Sequence, residues 1–282
     1  MYTGIDTAAR ITAEQAAKIK AQGLSFVGRY LVPETYGKAL TAAEADALRG
    51  AGLAILLCWE IGAYDMKRGA VKGAEHGARA RQLAEGMGVP AGTVIYFAAD
   101  YDVPSGELLQ CEQYLKAAQA ALGKYKAGAY GGERLISFLA DRGLLIALWQ
   151  CVAWTNIFNE KAGVIQYAWQ GASDAKDVAA KLGFAVDLDS CEDMRAAGLW
   201  MPEGSGDATI PQSAAQTAPF TQGGQGTPWY AETMAWARKE GVCDGTRPED
   251  YATRAEVCQM IRNYNRRFEA GDEKRDSGML SE

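Results

Sequence analysis

Two aspartates at the end of an apolar run are the residues of this chain best suited to chemistry. Asp100 and Asp102 follow a β-prone stretch, 94–99, and are spaced i, i+2. Alternate residues of a strand point to the same side, so both carboxylates are expected to project together from its C-terminal end. Two carboxylates that converge where a buried strand meets a loop suit an acid-catalysed hydrolysis. The alternative is structural, because residues 103–105 resemble a helix start that the aspartates could cap.

The elements that must position these aspartates alternate along residues 1–200. Short apolar runs typical of strands are separated by alanine-rich helical patterns with periodic leucines. The predicted strands are 2–6, 25–30, 53–59, 94–99, 126–130, 145–150, 164–169 and 184–188, and the predicted helices include 13–22, 42–50, 70–86 and 105–122. Repetition of strand and helix indicates a parallel sheet, and eight strands indicate a closed (β/α)₈ TIM-like barrel. An open doubly wound sheet is the alternative, because the last two connections leave little room for full helices.

Polar residues at the ends of the predicted strands form the candidate site, because barrel active sites lie at the C-terminal face of the barrel. These residues are Asp6, Arg29, Tyr30, Glu60, Asp100, Asp102, Tyr130, Trp149, Gln150, Gln166, Gln170, Asp187 and Asp189. Strands one and eight are neighbours in a closed barrel, which would place Asp6 beside Asp187. Arg29 is expected to pair with one carboxylate, which would lower that group's pKa and leave another carboxylate to act as the acid.

Aromatic residues near these strand ends suit the stacking of sugar rings, in which CH groups pack on π faces. The alternative for each of them is ordinary packing in the core. The set consists of Tyr30, Trp59, Tyr64, Tyr101, Tyr130, Trp149, Trp154 and Trp169.

The composition argues against several classes of function. A formal net charge of −6 and the lack of a basic stripe argue against nucleic acid as a partner. Six cysteines without a C-x-x-C pair and a single histidine, His76, argue against a zinc site, so we expect no metal and no cofactor. The cysteines fit free, mostly buried thiols of a reducing compartment, and His76 is expected on a helix surface rather than in catalysis. No stretch is apolar enough for a membrane span, and the start of the chain already reads as a strand, so we expect synthesis in the cytoplasm without a signal peptide.

The composition changes after the predicted barrel, residues 1–200. Residues 201–226 are rich in Gly, Ser, Thr, Gln, Ala and Pro and are predicted to be a flexible linker. A compact segment with new apolar periodicity follows at 227–270, and residues 271–282 form a charged tail.

Several short motifs in residues 1–200 together carry a resemblance to a known family. They are Gly4-Ile5-Asp6, Gly28-Arg29-Tyr30, Cys58-Trp59-Glu60, Ile95 to Asp102, Tyr130-Gly131-Gly132, Leu148-Trp149-Gln150 and Val186-Asp187-Leu188-Asp189. This combination resembles the glycoside-hydrolase-like domain of the family of unknown function 1906, which is related to the family 25 muramidases. The resemblance implies a barrel with an acidic groove that acts on polysaccharide, most plausibly the glycan strands of peptidoglycan.

The resemblance also implies roles for individual residues. In the muramidases the fourth strand ends in Asp-x-Glu and the glutamate donates the proton, so Asp102 would be the donor here, with a side chain one carbon shorter. Asp100 or Asp6 would serve as base, nucleophile or stabiliser of the oxocarbenium ion, and Asp187 would orient the substrate. Further substrate contacts are expected from Glu60, Arg29, Tyr30, Tyr130, Trp149, Gln150 and Gln166.

The segment 227–270 is similar to one S-layer homology repeat, through Thr227 to Tyr230, Met234 to Ala237, Gly241 to Pro248 and Ala252 to Val257. Such repeats imply a peptidoglycan or secondary cell-wall polymer as ligand. Thr253 with Glu256 reads as a capping box, a structural role that needs no ligand. The two resemblances together predict a wall-degrading enzyme with a tethered wall-binding module, of the kind found in phage or prophage endolysins. The alternatives are a non-catalytic carbohydrate-binding protein and a glycosidase on another polysaccharide.

Overall fold

Eight strands close into a barrel in which every strand pairs with its neighbours in chain order. The computed structural model describes residues 1–144, 147–155, 157–202 and 204–205. The strands are β1 (Tyr2–Asp6), β2 (Phe26–Tyr30), β3 (Ala54–Trp59), β4 (Val94–Ala98), β5 (Lys126–Gly131), β6 (Ala147–Cys151), β7 (Val164–Ala168) and β8 (Asp187–Cys191). The predicted mixed α/β barrel is therefore confirmed. The predicted S-layer-like module at 227–270 and the tail at 271–282 lie outside the described residues, as does the linker beyond its first few positions.

The last strand runs in an unexpected direction. β8 is antiparallel to both β1 and β7, whereas the other neighbouring pairs are parallel. The expectation of a fully parallel sheet is therefore wrong for this strand, which also starts at Asp187 rather than at residue 184. A period of two reads the same in both directions along a chain, so the alternation of side chains could not reveal the reversal. The reversal places the first residue of β8 opposite the last residue of β1, with Asp187 paired to Asp6.

Within the described residues, six helices surround the barrel: α1 (Ala13–Ala21), α2 (Ala42–Gly50), α3 (Gly69–Gly86), α4 (Leu108–Ala121), α5 (Glu133–Asp141) and α6 (Ser173–Leu182). Short 3₁₀ helices at Met66–Arg68 and Ser105–Glu107 precede α3 and α4. A capping box starts α1, because Thr12 accepts from the Gln15 amide while the Gln15 side chain accepts from the Thr12 amide.

Side-chain alternation along the strands divides the core into two layers. One layer lies between barrel and helices and includes Ile5, Val27, Ile55, Leu57, Ile95, Phe97, Ala129 and Leu148. The other fills the barrel interior and includes Phe26, Leu56, Cys58, Val94, Tyr96, Ala98, Tyr130, Trp149 and Cys151. The same alternation decides which polar residues at the strand ends face the interior.

Helices α3 and α4 approach each other through two glycines. A Cβ atom on Gly73 or Gly77 would overlap the α4 backbone at Tyr114 or Ala118. His76 lies on this packed face, with Nδ1 2.6 Å from the Tyr114 hydroxyl, and is only 5% exposed. The expected surface position of His76 is therefore wrong, because the close helix pair covers it. Burial lowers the pKa of His76, which favours the neutral ring.

Four of the six cysteines fall in the described residues, and all four are free and buried: Cys58, Cys111, Cys151 and Cys191. Among the described residues, no helix has the length and apolar character needed to cross a bilayer. Within the same ranges, no group of three or more His, Cys, Asp or Glu side chains has an arrangement that could hold a metal ion.

Candidate active site at the carboxylate rim

Gln166 of β7 joins two carboxylates at the rim of the barrel. Its Nε2 donates to Asp6 Oδ2 at 2.7 Å and to Asp187 Oδ2 at 3.0 Å. The Tyr130 hydroxyl on β5 donates to Gln166 Oε1 at 2.9 Å and so fixes the orientation of the amide. The backbone amide of Gln170 also donates to Asp187. The sequence predicted that Asp6, Tyr130, Gln166 and Asp187 belong to one site, and the structure brings them together.

A third carboxylate, Asp189, lies deeper in the barrel. The sequence placed it among the strand-end candidates but assigned it no role. It is fully buried on β8. Trp149 Nε1 donates to its Oδ1 at 2.9 Å, while its Oδ2 has no donor within the described part of the chain. The carboxyl groups of Asp189 and Asp6 are close enough to influence each other's pKa. The signal was present in the sequence, because Asp187 and Asp189 are two apart on one strand and must share a face.

The electrostatics of this cluster favour protonated carboxyl groups. Burial, followed by the neighbouring Asp187 charge, raises the pKa of Asp6 to about 7, although the hydrogen bond from Gln166 opposes this. Burial and the nearby Asp6 raise the pKa of Asp189 well above its usual range. Burial also raises the pKa of Asp187. The rim can therefore hold at neutral pH a proton that an ordinary aspartate loses near pH 4, as general-acid catalysis requires.

An open cavity gives access to the cluster from the rim. It has a volume of about 170 Å³ and is lined by Asp6, Asp187, Tyr30, Thr7 and Gln170, among others. Asp6 is 7% exposed and forms part of the wall of this cavity.

Glu60 and Asp100 stand on the opposite side of the rim, at the ends of β3 and β4. Glu60 forms an ion pair with Lys38, whose Nζ lies 3.0 Å from Oε2 and 4.2 Å from the centre of the Tyr30 ring. Asp100 is exposed as a residue, but the surrounding protein removes part of the water from its carboxyl group, which raises its pKa. The positive charge of Lys38 opposes this rise. Asp100 also contributes to the raised pKa of Asp6 and of Tyr130, so its charge faces the same central space. Lys38 was missed because it lies in the loop between β2 and α2 rather than at a strand end.

Asp102 has a partner outside the carboxylate cluster. β4 ends at Ala98, so Asp100 and Asp102 lie in the loop after the strand, where the alternation of strand side chains does not apply. Asp102 is half exposed and accepts a 2.8 Å hydrogen bond from Arg134 of α5. The capping alternative is also wrong, because neither the 3₁₀ helix Ser105–Glu107 nor α4 has a side-chain cap.

Two expected substrate contacts are wrong. Arg29 is fully buried between barrel and helices, where Nε donates to Glu44 Oε1 at 2.7 Å. The expectation that Arg29 pairs with one of the strand-end carboxylates is also wrong, because its partner is Glu44 of α2, which lies outside the rim. Gln150 is also fully buried and is bonded to the Ile157 carbonyl and the Asn159 amide. Each of the two residues is adjacent in sequence to an aromatic residue that faces the barrel interior. Because successive side chains of a strand point to opposite faces, both residues must point outward.

A closed barrel with carboxylates gathered at one rim has the kind of acidic site that glycoside hydrolysis uses. The chain belongs to the Rv2525c-like, glycoside hydrolase-like domain family, whose sequence model matches residues 17–190. The resemblance of residues 1–200 to a glycoside-hydrolase-like family is thereby confirmed, whereas no comparison shows the S-layer homology repeat, which stays a prediction.

Relatives in two groups of bacteria support this assignment. The "Putative peptidoglycan hydrolase Rv2525c" of Mycobacterium tuberculosis is 30% identical over 146 residues, which are 48% of this chain and 60% of that protein. The YbfG protein of Bacillus subtilis is 31% identical over 160 residues, which are 49% of this chain and 21% of that protein. The chain thus spans less than two thirds of the length of these curated relatives.

Solved structures agree with the fold. The crystal structure of the Tat-secreted protein Rv2525c with L-tartrate has a TM-score of 0.59 and 24% identity, and covers 71% of this chain and 98% of that one. An uncharacterized protein from B. stearothermophilus has a TM-score of 0.52 at 18% identity, with 71% and 100% coverage. Because Rv2525c is Tat-secreted, it gives no support to the expectation that the present chain is made without a signal peptide.

Proposed function

We propose that this chain is a peptidoglycan hydrolase that cleaves β-1,4 bonds between the aminosugars of the glycan strand. Membership of a glycoside hydrolase-like family and the likeness to Rv2525c support a hydrolase of cell-wall glycan. The observation that carries the proposal is the Asp6–Gln166–Asp187 arrangement, in which burial keeps one carboxyl protonated near neutral pH beside an open cavity. The proposed site of action is the bacterial cell wall.

In this proposal Asp6 donates its proton to the glycosidic oxygen as the bond to the anomeric carbon breaks. Asp187, and Asp100 from across the rim, stabilise the positive charge that develops on the sugar ring. Water then adds to the anomeric carbon and gives a proton to the Asp6 carboxylate, which restores the acid. Gln166 Nε2 donates to one carboxylate oxygen of Asp6 and to one of Asp187. The distance between these two oxygens therefore cannot exceed the combined length of the two hydrogen bonds. That separation is shorter than the roughly 6.5–9.5 Å typical of inverting enzymes and favours a retaining outcome.

Asp102, the donor implied by the family resemblance, is assigned a lesser role. Its carboxylate is held by Arg134 and faces helix α5, whereas Asp100 faces the central space. For Asp102 to protonate a leaving group, the Arg134 ion pair must first open.

Zymography on purified peptidoglycan tests the proposal. Clearing is expected from the native chain and is expected to be lost in Asp6→Asn. Asp46→Asn, an exposed aspartate on α2, is the matched control and should clear normally. Release of new reducing ends, with none of the free amino groups that peptide cleavage would expose, would identify the bond as glycosidic. Clearing by Asp6→Asn at the native rate would overturn the assignment of the acid.

A second candidate is a wall-binding protein without turnover, favoured by the ion-paired Asp102 where the muramidases carry a longer acid. Pull-down on cell walls with no released muropeptide would support this candidate and exclude the hydrolase. Reducing ends released only from a different polysaccharide would instead identify a glycosidase of another specificity.

We further propose that residues 206–282 hold the enzyme on the wall, as the S-layer-like pattern of 227–270 implies, and that the chain is a phage or prophage endolysin. A chain of residues 1–205 should then clear purified peptidoglycan but sediment less with intact walls than the full chain does. Equal sedimentation of the two would contradict a wall-binding module. Release of the full chain from expressing cells only when a pore-forming protein is co-expressed would support the endolysin assignment.

A further inference from the structure

Two tyrosines and a lysine form an exposed platform beside Asp100. The rings of Tyr64 and Tyr101 lie 4.8 Å apart between centroids, at an interplanar angle of 52°. Lys67 Nζ lies 4.7 Å from the centre of the Tyr64 ring and 5.9 Å from that of Tyr101. Tyr64 follows β3 and Tyr101 follows β4, so the platform stands on the same rim as the carboxylates.

The platform is fixed in place although it contributes little to the core. Tyr64 is 56% exposed, a large apolar surface to leave in water at a site that no described residue covers. The Asp100 amide donates to the Ala63 carbonyl at 3.1 Å, which ties the Tyr64 loop to the end of β4. The Tyr101 hydroxyl donates to Glu107 Oε2 at 2.8 Å. A ligand that stacks on Tyr64 therefore meets a preordered surface and loses little affinity to ordering it.

Lys67 retains hydrogen-bonding capacity toward a ligand. Its nearest acidic partner, Glu107 Oε1, is 3.9 Å away, which is too long for a direct hydrogen bond. An ammonium group carries three donors, so those of Lys67 can turn toward an anion that approaches over Tyr64. Lys38, the cation on the other side of Asp100, is instead held by Glu60 at 3.0 Å.

The distribution of charge orients an anionic ligand. Asp6, Asp100 and Asp187 lie at the centre of the rim, and each of them that is ionised repels a carboxylate that enters this space. A sugar that bears a carboxylate can bind only with that group directed away from this centre, and the platform provides a cation in that position.

We propose that Tyr64, Tyr101 and Lys67 form a subsite that stacks a sugar ring on Tyr64 and binds a carboxylate substituent of that sugar through Lys67. This inference rests on the proposed function and deepens it. The subsite selects a carboxylated amino sugar over a neutral one and sets the direction in which a glycan strand crosses Asp100.

Binding measurements test the subsite without requiring turnover. Two soluble tetrasaccharides are titrated by NMR: chitotetraose, which is neutral, and the peptide-free tetramer of alternating N-acetylglucosamine and N-acetylmuramic acid, which carries carboxylates. All variants are compared in an Asp6→Asn background, so that hydrolysis cannot consume the probe, and near-UV circular dichroism checks that each one is folded. Tyr64→Ala is expected to weaken both probes about tenfold, since both lose the stacking surface. Lys67→Met is expected to weaken only the carboxylated probe, by about threefold to tenfold.

The chain offers matched controls at the opposite end of the barrel. Tyr2, at the start of β1, is 44% exposed, and Tyr2→Ala should change neither affinity. Lys124 lies over the Tyr125 ring at 5.3 Å just before β5, and Lys124→Met should also have no effect. Added salt should weaken the carboxylated probe and leave chitotetraose unchanged.

Several outcomes would overturn the subsite. They are native affinity in Tyr64→Ala, an equal loss for both probes in Lys67→Met, and failure of the Asp6→Asn parent to bind the carboxylated tetramer. Failure of the proposed function is distinguishable, because a protein without hydrolytic activity that still shows the expected binding pattern keeps the subsite and loses only the catalysis.

Discussion

Two of the places where the described residues bury charged side chains differ in whether the charge is neutralised. Between barrel and helices, the Arg29 guanidinium meets the Glu44 carboxylate, which also accepts from the Ile11 amide. At the rim, Asp6, Asp187 and Asp189 gather, and no Lys or Arg among the described residues forms an ion pair with any of them. In place of a counter-ion, hydrogen bonds from Gln166 to Asp6 and from Trp149 to Asp189 stabilise these carboxyl groups.

The difference separates a structural site from the site at which we propose catalysis. The buried pair of opposite charges fixes the position of α2 on the barrel. A buried group of like charges destabilises its own ionised form, so it retains a proton and raises the energy of the folded state as the pH rises. Clusters of this kind persist where function requires them, which is why we place catalysis at the rim.

The largest effect is expected from a substitution that breaks the neutralised Arg29–Glu44 pair. Glu44→Ala leaves the Arg29 charge buried without a partner and should lower the free energy of unfolding by about 3–5 kcal/mol. Urea denaturation at pH 7 measures this change. The double variant Arg29→Met with Glu44→Leu should recover most of the loss, because no uncompensated charge remains. If Glu44→Ala is as stable as the native chain, the pair does not hold α2 on the barrel.

The second-largest expected effect is an increase in stability, and it comes from a substitution at the rim. The pKa of Asp6 is raised from 3.8 to about 7, so its contribution to stability is fully present below pH 3.8 and is lost as the pH rises through 7. Asp6→Asn removes this loss and should be more stable than the native chain at pH 8, by on the order of 2 kcal/mol, with no gain at pH 4. Thermal unfolding across this range, in parallel with zymography, should show a variant that is more stable but inactive. An equal shift at both pH values would contradict the raised pKa.

A smaller effect sharpens the assignment of the acid. If protonated Asp6 is the proton donor, hydrolysis should decline above about pH 7 as Asp6 ionises. The Asp187 charge contributes to the raised pKa of Asp6, so Asp187→Asn should move this decline to lower pH. Initial rates on soluble glycan strands between pH 5 and 9 measure the shift. A decline that stays in place would show that a group other than Asp6 sets the alkaline limb.

The sequence predicted the barrel and most of the inward-facing rim because both follow from a period of two. Asp6, Tyr130, Gln166 and Asp187 were found from their places at the strand ends. The same alternation excludes Arg29 and Gln150, each of which is adjacent in sequence to an inward-facing residue, so a stricter use of strand parity would have removed them. The direction of β8 and the partner of Asp102 depend on loop paths, which alternation does not encode.

The smallest expected effect concerns Asp102. Like Glu44 it is paired with an arginine, but unlike the residues of both buried sites it is exposed. Its ion pair with Arg134 is open to solvent, so Asp102→Asn should change the free energy of unfolding by less than about 1 kcal/mol. Because its carboxylate faces α5 rather than Asp6, clearing of peptidoglycan should also persist in this variant. Arg134→Gln is the matched control and should behave in the same way. If Asp102→Asn abolishes clearing while Arg134→Gln preserves it, Asp102 swings into the rim during catalysis and takes the role of acid from Asp6. A site that relies on the buried, unpaired carboxyl groups gives the reverse result, with loss in Asp6→Asn alone.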